Sequence, residues 1–449
     1  MALFVGRTQQ CLQQHELALY YDPGSIRALK MSSRTLRASM QGMLEVFCRF
    51  VRQPATGHNL MGAIWKLASL APRGDERACA ALSARLRHRR CGVRVSAVRA
   101  LGLLQAVELV PRIRTCLYDT QGRVRAAAAR TLGSLAAKND LETLRAALPL
   151  LGDECEDSCR AAMDCICQVS GAEGNTLVQR ELSALLLSPC RTERWAAVET
   201  LARTSGQGDA QVVAALIPCL EDSDAAIRSS VVHALRRVAV VGDATAVRAL
   251  SARLEHREGA VRAGALRTLC WVASVGDQEV LAKVKVCLDD GVSNVRAAAV
   301  AALAELVPSK GDEDVITRVV GRLEDSEPFV RAAALQSLLK VAHQGDLTAT
   351  SAILALVDHQ DGRVRLAAVE ALGRLAPKND ASIISTVTEL MEDRHTGVCC
   401  TAVQVLAHLA GQSHEALSAI RARRDETLEL RQPVRAAAAF VLGEPAMGA

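Results

Sequence analysis

Aromatic side chains are almost missing from this 449-residue chain: three Trp, three Tyr and five Phe make up 2% of it. That shortage counts against functions that stack flat rings, such as single-strand nucleic-acid channels. It also implies a core closed by aliphatic side chains. No apolar run approaches the roughly 20 residues of a transmembrane helix, and the opening MALFVGRTQQ has no signal-peptide core. Neither sign of charge dominates. The 54 basic and 49 acidic residues are interspersed and leave a formal +5, a mildly basic surface and not a nucleic-acid footprint. Fifteen cysteines lack any disulfide-framework spacing, which points to free thiols in an intracellular, cytoplasmic setting. There is no Gly-rich phosphate loop, Ser-His-Asp order or paired-carboxylate signature.

What the chain does have is a period. A hydrophobic-Arg-small-small phrase recurs as VRAAAARTLGSL at Val124, VRAAAVAALAEL at Val295, VRAAALQSLLKV at Val330 and VRLAAVEALGRL at Val364. The Arg slot is filled by Leu60, Arg94, Arg125, Cys159, Arg194, Arg228, Arg262, Arg296, Arg331, Arg365, Cys399 and Arg435, at steps of 31 to 36 residues. Such a step predicts a stacked array. Three, four, seven and ten residues past this anchor, small or apolar residues return: Ala265, Leu266, Leu269 and Val272 in one repeat, Ala334, Leu335, Leu338 and Val341 in another. Those offsets trace one face of a helix.

A short turn follows, reading VGD, QGD or KND. Its Asp (Asp140, Asp209, Asp243, Asp277, Asp346, Asp380) stands before a second apolar run and reads as an N-cap. Each repeat is therefore two antiparallel helices. Six residues before the anchor an acid is common: Asp119, Asp153, Asp222, Asp290, Asp325, Asp393 and Glu429. The anchor Arg is expected to bond this acid across its own corner, or the neighbouring repeat's acid as a ladder. Recurrence in every unit makes Arg94, Arg125, Arg194, Arg228, Arg262, Arg296, Arg331, Arg365 and Arg435 structural anchors in this reading.

The D-x5-R corner, the Ala-rich helix and the GD turn resemble HEAT repeats, in particular the HEAT-like kind first described in phycobilisome lyases. The resemblance spans residues 43–445 and implies an all-α, right-handed α-solenoid of about twelve helix pairs. Residues 1–42 are expected to form an N-terminal cap or irregular segment, with a basic stretch around Arg27, Lys30, Arg34 and Arg37, and residues 446–449 a tail. No polar capping helix follows Leu442, so the last apolar face is expected to be exposed or covered by a partner.

The resemblance also raises enzymes. Deoxyhypusine hydroxylase carries its iron on His-Glu pairs just after the anchor. The corresponding pairs here are residues such as Ser229-Ser230, Ala297-Ala298 and Leu366-Ala367, and the His15-Glu16 and His414-Glu415 dipeptides lie outside the slot. A phycobilin lyase has no compact motif to look for. Trp195 and Trp271 could flank a bilin, but core packing is the expected role of both. The cysteine groups Cys155, Cys159, Cys165 and Cys167, and Cys399 with Cys400, lack zinc-knuckle spacing. No cofactor or metal is expected.

The expected function is then a non-catalytic scaffold. Five and nine residues past the anchor, side chains should point away from the first helix into the concave floor of a solenoid. Arg203, His233, Arg237, Arg267, Glu305, Lys340, Glu370 and Arg374 occupy this lane. Its mixed sign suits a protein or peptide partner better than a phosphate backbone.

Overall fold

The computed structural model describes residues 34–53, 58–170 and 176–410, with isolated helical positions between 418 and 441. Arg435, the segment before Arg34 and the end of the chain lie outside the described residues. Among the described residues every regular element is a helix. The chain divides into two units, Met1–Gly206 and Gln207–Ala449.

Among the described residues the first unit holds five helix pairs, from Arg34–Arg52 with His58–Leu70 to Thr176–Leu185 with Arg191–Thr204. Among the described residues the second holds six, from Ala210–Leu216 with Ala225–Val238 to Ala381–Glu389 with Thr396–Ala410. Helix Arg34–Arg52 runs across the boundary expected at residue 43 and packs on the next two helices, burying Cys48 and Val51. In each unit the second helices of successive pairs lie side by side. This is an all-α fold of stacked helix pairs.

Each repeat follows from a few local choices. The second helix buries its Leu seven residues past the anchor: Leu101, Leu132, Leu201, Leu235, Leu269, Leu303, Leu338, Leu372 and Leu406 are all at most 1% exposed. Each such side chain contributes about 1.5–3 kcal/mol of burial. Small residues let neighbouring second helices approach. At Gly373 a Cβ would sit 2.6 Å from Cγ2 of Val405 on the next one.

The turn after the second helix needs a left-handed residue. Gly242 and Gly276 supply it at φ 84°, and Asn139 and Asn379 do so at φ 61° in the KND turns. This twist aims the residue's N–H at the next repeat. Gly242 donates to the Val272 carbonyl at 2.7 Å and Gly276 to that of Leu306 at 2.8 Å. Val272 and Leu306 end their helices, so each bond satisfies a terminal acceptor that its own helix leaves unpaired. The following Asp caps the next first helix. Asp243 accepts from Thr245 and Ala246 N–H at 2.9 and 3.1 Å, a contribution of about 1 kcal/mol.

Most first helices are short and tighten into a 3-10 turn, as at Arg253–Glu255 and Arg322–Glu324. The residue after that turn is extended, which reverses the chain into the second helix. The corner is thereby set for the side chains described next.

Candidate functional site

Five anchor arginines clasp the acid of the following repeat. Arg94 holds Asp119, Arg125 holds Asp153, Arg262 holds Asp290, Arg296 holds Asp325 and Arg365 holds Asp393. Each uses Nε and Nη2 on the two carboxylate oxygens at 2.5–2.8 Å. Of the two pairings open from the sequence, it is the inter-repeat one that forms. The third nitrogen reaches back. In all eight described anchor arginines Nη1 donates to the backbone carbonyl six residues earlier, at 2.7–3.0 Å. Each of the five clasping guanidiniums thus ties its own corner to the next. Where Cys399 replaces Arg, its thiol donates to the same carbonyl, of Asp393, at 2.8 Å.

The carboxylates are committed as well. Burial alone would raise the pKa of Asp153, Asp290, Asp325 and Asp393. The arginine bonds and a backbone N–H two residues on outweigh burial and hold all four below the ordinary carboxylate value.

Sequence reasoning missed the three histidine corners. His88, His256 and His359 stand where the acid stands elsewhere, and each Nδ1 accepts the backbone N–H two residues on, at 3.0–3.1 Å. Asp290 makes the same bond to Val292 at 2.8 Å. Histidine therefore keeps the corner but offers no carboxylate to the preceding anchor. Arg228 and Arg331, which precede His256 and His359, retain their own-corner bonds, to Asp222 and Asp325 carbonyls. They make no carboxylate clasp among the described residues. Comparing the residue six before each anchor, irrespective of charge, would have revealed these corners.

The lane five and nine residues past the anchors is at the surface. Arg203, His233, Arg237, Arg267, Glu305, Lys340 and Arg374 are exposed and Glu370 is half-buried. Some of its members pair across repeats. Arg203 bonds Asp164 at 2.7 Å, and Lys340 bonds Glu305. The guanidinium of Arg236 lies 3.9 Å over the ring of Trp271. Trp271 is 41% exposed, so core packing is not its role, because its offset of nine places it on the outward face. Trp65 and Leu103, at offsets five and nine, are exposed in the first unit; the lane is more apolar than its charged members suggest. Trp195 is half-buried.

In the second unit, Glu370 and Arg374 meet Arg331, Arg363 and Gln336 around a cavity of about 270 Å³. It lies between second helices Pro328–Val341 and Gly362–Leu375.

Among the described residues no three His, Cys, Asp or Glu side chains converge as a metal site would require. The described cysteines are free thiols. Burial pushes Cys165 and Cys270 up to about 12, and Cys116 and Cys159 up to about 11. No described helix is long and apolar enough to cross a membrane.

The sequence pattern of HEAT repeats matches residues 79–164, 180–270, 247–339 and 349–443. No curated protein matches the sequence. Among solved structures, Kap121p is similar with a TM-score of 0.64 at 14% identity, over 93% of this chain and 50% of Kap121p. The karyopherin Kap121p bound to the extreme C-terminus of the protein phosphatase Cdc14p gives 0.63 at 14% identity, over 92% of this chain. Kap95p, in a structure describing its binding to RanGDP, gives 0.58 at 9% identity, over 94% of this chain and 67% of the other. The chain spans about half the length of Kap121p. At these identities the likeness is one of fold.

Proposed function

The chain belongs to the HEAT-repeat family, and on that premise we propose that it is a non-catalytic scaffold that binds a protein partner along the lane of its second helices. One observation carries this reading. Within each unit the apolar faces are packed in the stack, and five corner arginines are clasped there, whereas the lane at offsets five and nine is exposed in repeat after repeat. Its spacing is that of the repeat, so an extended segment laid along it meets several side chains in turn. In HEAT solenoids this side of the second helices lines the concave face. Kap121p, similar in fold, is seen bound to Pho4p and to the extreme C-terminus of the protein phosphatase Cdc14p, which supports a protein as the class of partner here.

The lane's mixed sign favours a protein over a phosphate backbone. The free cysteines fit an intracellular site of action. No observation favours a bilin lyase or an iron hydroxylase. The slots after Arg296 and Arg365 hold Ala297, Ala298, Leu366 and Ala367, which carry no ligand atoms.

The test is affinity capture from native extract followed by mass spectrometry, with two charge-reversal pairs. Arg237→Glu with Arg267→Glu should reduce capture of the partner. Arg248→Glu with Lys283→Glu, on first helices, should not. The opposite result would move the binding surface to the first helices.

A further inference from the structure

The cavity between Pro328–Val341 and Gly362–Leu375 gathers three guanidiniums, of Arg331, Arg363 and Arg374, against one lining carboxylate, Glu370. None of these four groups lies within an ion-pair distance of an opposite charge among the described residues. Asp361, the N-cap of helix Gly362–Leu375, is a further acid within the electrostatic reach of Arg363 and Arg331, and its carboxylate accepts the Arg363 backbone N–H at 2.8 Å. Leu335 and Leu366 supply apolar walls, and Gln336 adds an amide.

The excess positive charge has a structural origin. Arg331 is an anchor, and in its register Arg296 and Arg365 each clasp an Asp. Arg331 is followed instead by His359, whose Nδ1 is occupied by the Asp361 N–H at 3.0 Å. With Nδ1 accepting, the proton of the neutral ring sits on Nε2, so the ring offers no acceptor in place of the missing carboxylate. Nη1 of Arg331 is bound to the Asp325 and Ser326 carbonyls at 2.7 and 2.9 Å. Nε and Nη2, the two donors that form a flat fork in Arg94, Arg125, Arg262, Arg296 and Arg365, are left for something else.

We propose that this cavity is a subsite for an acidic side chain of a bound protein segment, with the carboxylate received by Arg331, Arg363 and Arg374 and the adjoining apolar residue by Leu335 and Leu366. A planar fork matches a carboxylate with two parallel bonds, and the Leu walls favour a peptide over a bare phosphate chain. The subsite rests on the scaffold reading above and gives that reading a chemistry: its partner is acidic and apolar where it crosses this repeat.

The test uses the full chain and a fluorescein-labelled peptide of alternating Glu and Leu, read by anisotropy. Wild type is expected to bind it. Arg363→Glu and Arg374→Glu should each weaken binding by about tenfold or more, and Glu370→Gln should tighten it. His359→Asp should weaken it while raising Tm, because it returns to Arg331 the clasp of the other anchors. A merely destabilising substitution would lower both. Arg248→Glu should leave binding unchanged. The same peptide carrying phosphoserine in place of Glu, and polyuridylate, complete the set. No binding by wild type, indifference to all three cavity variants, or equal and variant-sensitive binding of polyuridylate would each overturn the proposal. Tighter, variant-sensitive binding of the phosphoserine peptide would overturn the assignment to carboxylate. Cavity variants that leave native partner capture intact while Arg237→Glu with Arg267→Glu abolishes it would remove the subsite and leave the scaffold standing.

Discussion

Arg365 and Asp393 meet through two parallel hydrogen bonds of 2.6 and 2.7 Å, with both side chains only 6% exposed. Removing one member of such a pair strands the other charge. At the equivalent pair, where Asp325 is 3% exposed, Arg296→Ala should destabilise the chain by about 3–5 kcal/mol. The measurement is thermal or urea unfolding. Partner capture should fall only as far as the folded fraction does. The double variant Arg296→Met with Asp325→Leu should recover most of the loss, since desolvation of the native pair offsets much of its attraction.

The same aspartates predict an acid limit. Burial pushes the pKa of Asp153, Asp290, Asp325 and Asp393 up, the arginines and backbone N–H groups push harder down, and the net is a lowered value. Their stabilisation is complete above the unfolded carboxylate pKa of about 4 and is lost as pH falls through the lower folded value. Circular dichroism melts should therefore give a Tm insensitive to these groups from neutral pH down to about 5 and a steep loss below about 4. A chain lacking the Arg296–Asp325 pair should show a shallower loss.

Gly276 has φ 84° and donates its N–H to Leu306 of the next repeat. Gly276→Val forces a branched side chain into the left-handed region, at a cost of about 1–2 kcal/mol. Unfolding should register that cost. Hydrogen exchange should show the Gly276 amide among the protected turn amides of the wild type.

Thiol reactivity should sort by burial. Cys190 is exposed, whereas Cys165 and Cys270 are held near 12. At pH 8 a maleimide should label Cys190 in the native chain first and reach Cys165 and Cys270 only on unfolding. Mass mapping of labelled peptides reads this directly.

Most of the repeat was legible because its signals are local. Offsets of three, four, seven and ten name the buried face, and the N-capping of Asp243 and Asp277 is written beside them. The direction of the corner bond was not legible. Arg296 lies six residues from Asp290 and 29 from Asp325, and only the packing of one repeat on the next decides which carboxylate it clasps. His88, His256 and His359 escaped because a search for acids cannot find an imidazole that accepts the same backbone bond. Trp271 escaped because an aromatic ring suggests a core, while its offset of nine already placed it outward beside Arg236. The cavity needed two second helices in register before Arg331, Arg363 and Arg374 could be seen as neighbours.

The turn N–H bonds and the arginine clasps each join one repeat to the one after it and to no other. Within the second unit, a pull along the stack is therefore carried in series, like tension along a row of stitches. Two stitches are looser, those where His256 and His359 leave Arg228 and Arg331 without a clasp. Under load the row is expected to part first at these perforations and not at the intact clasps of Arg262 on Asp290 or Arg365 on Asp393.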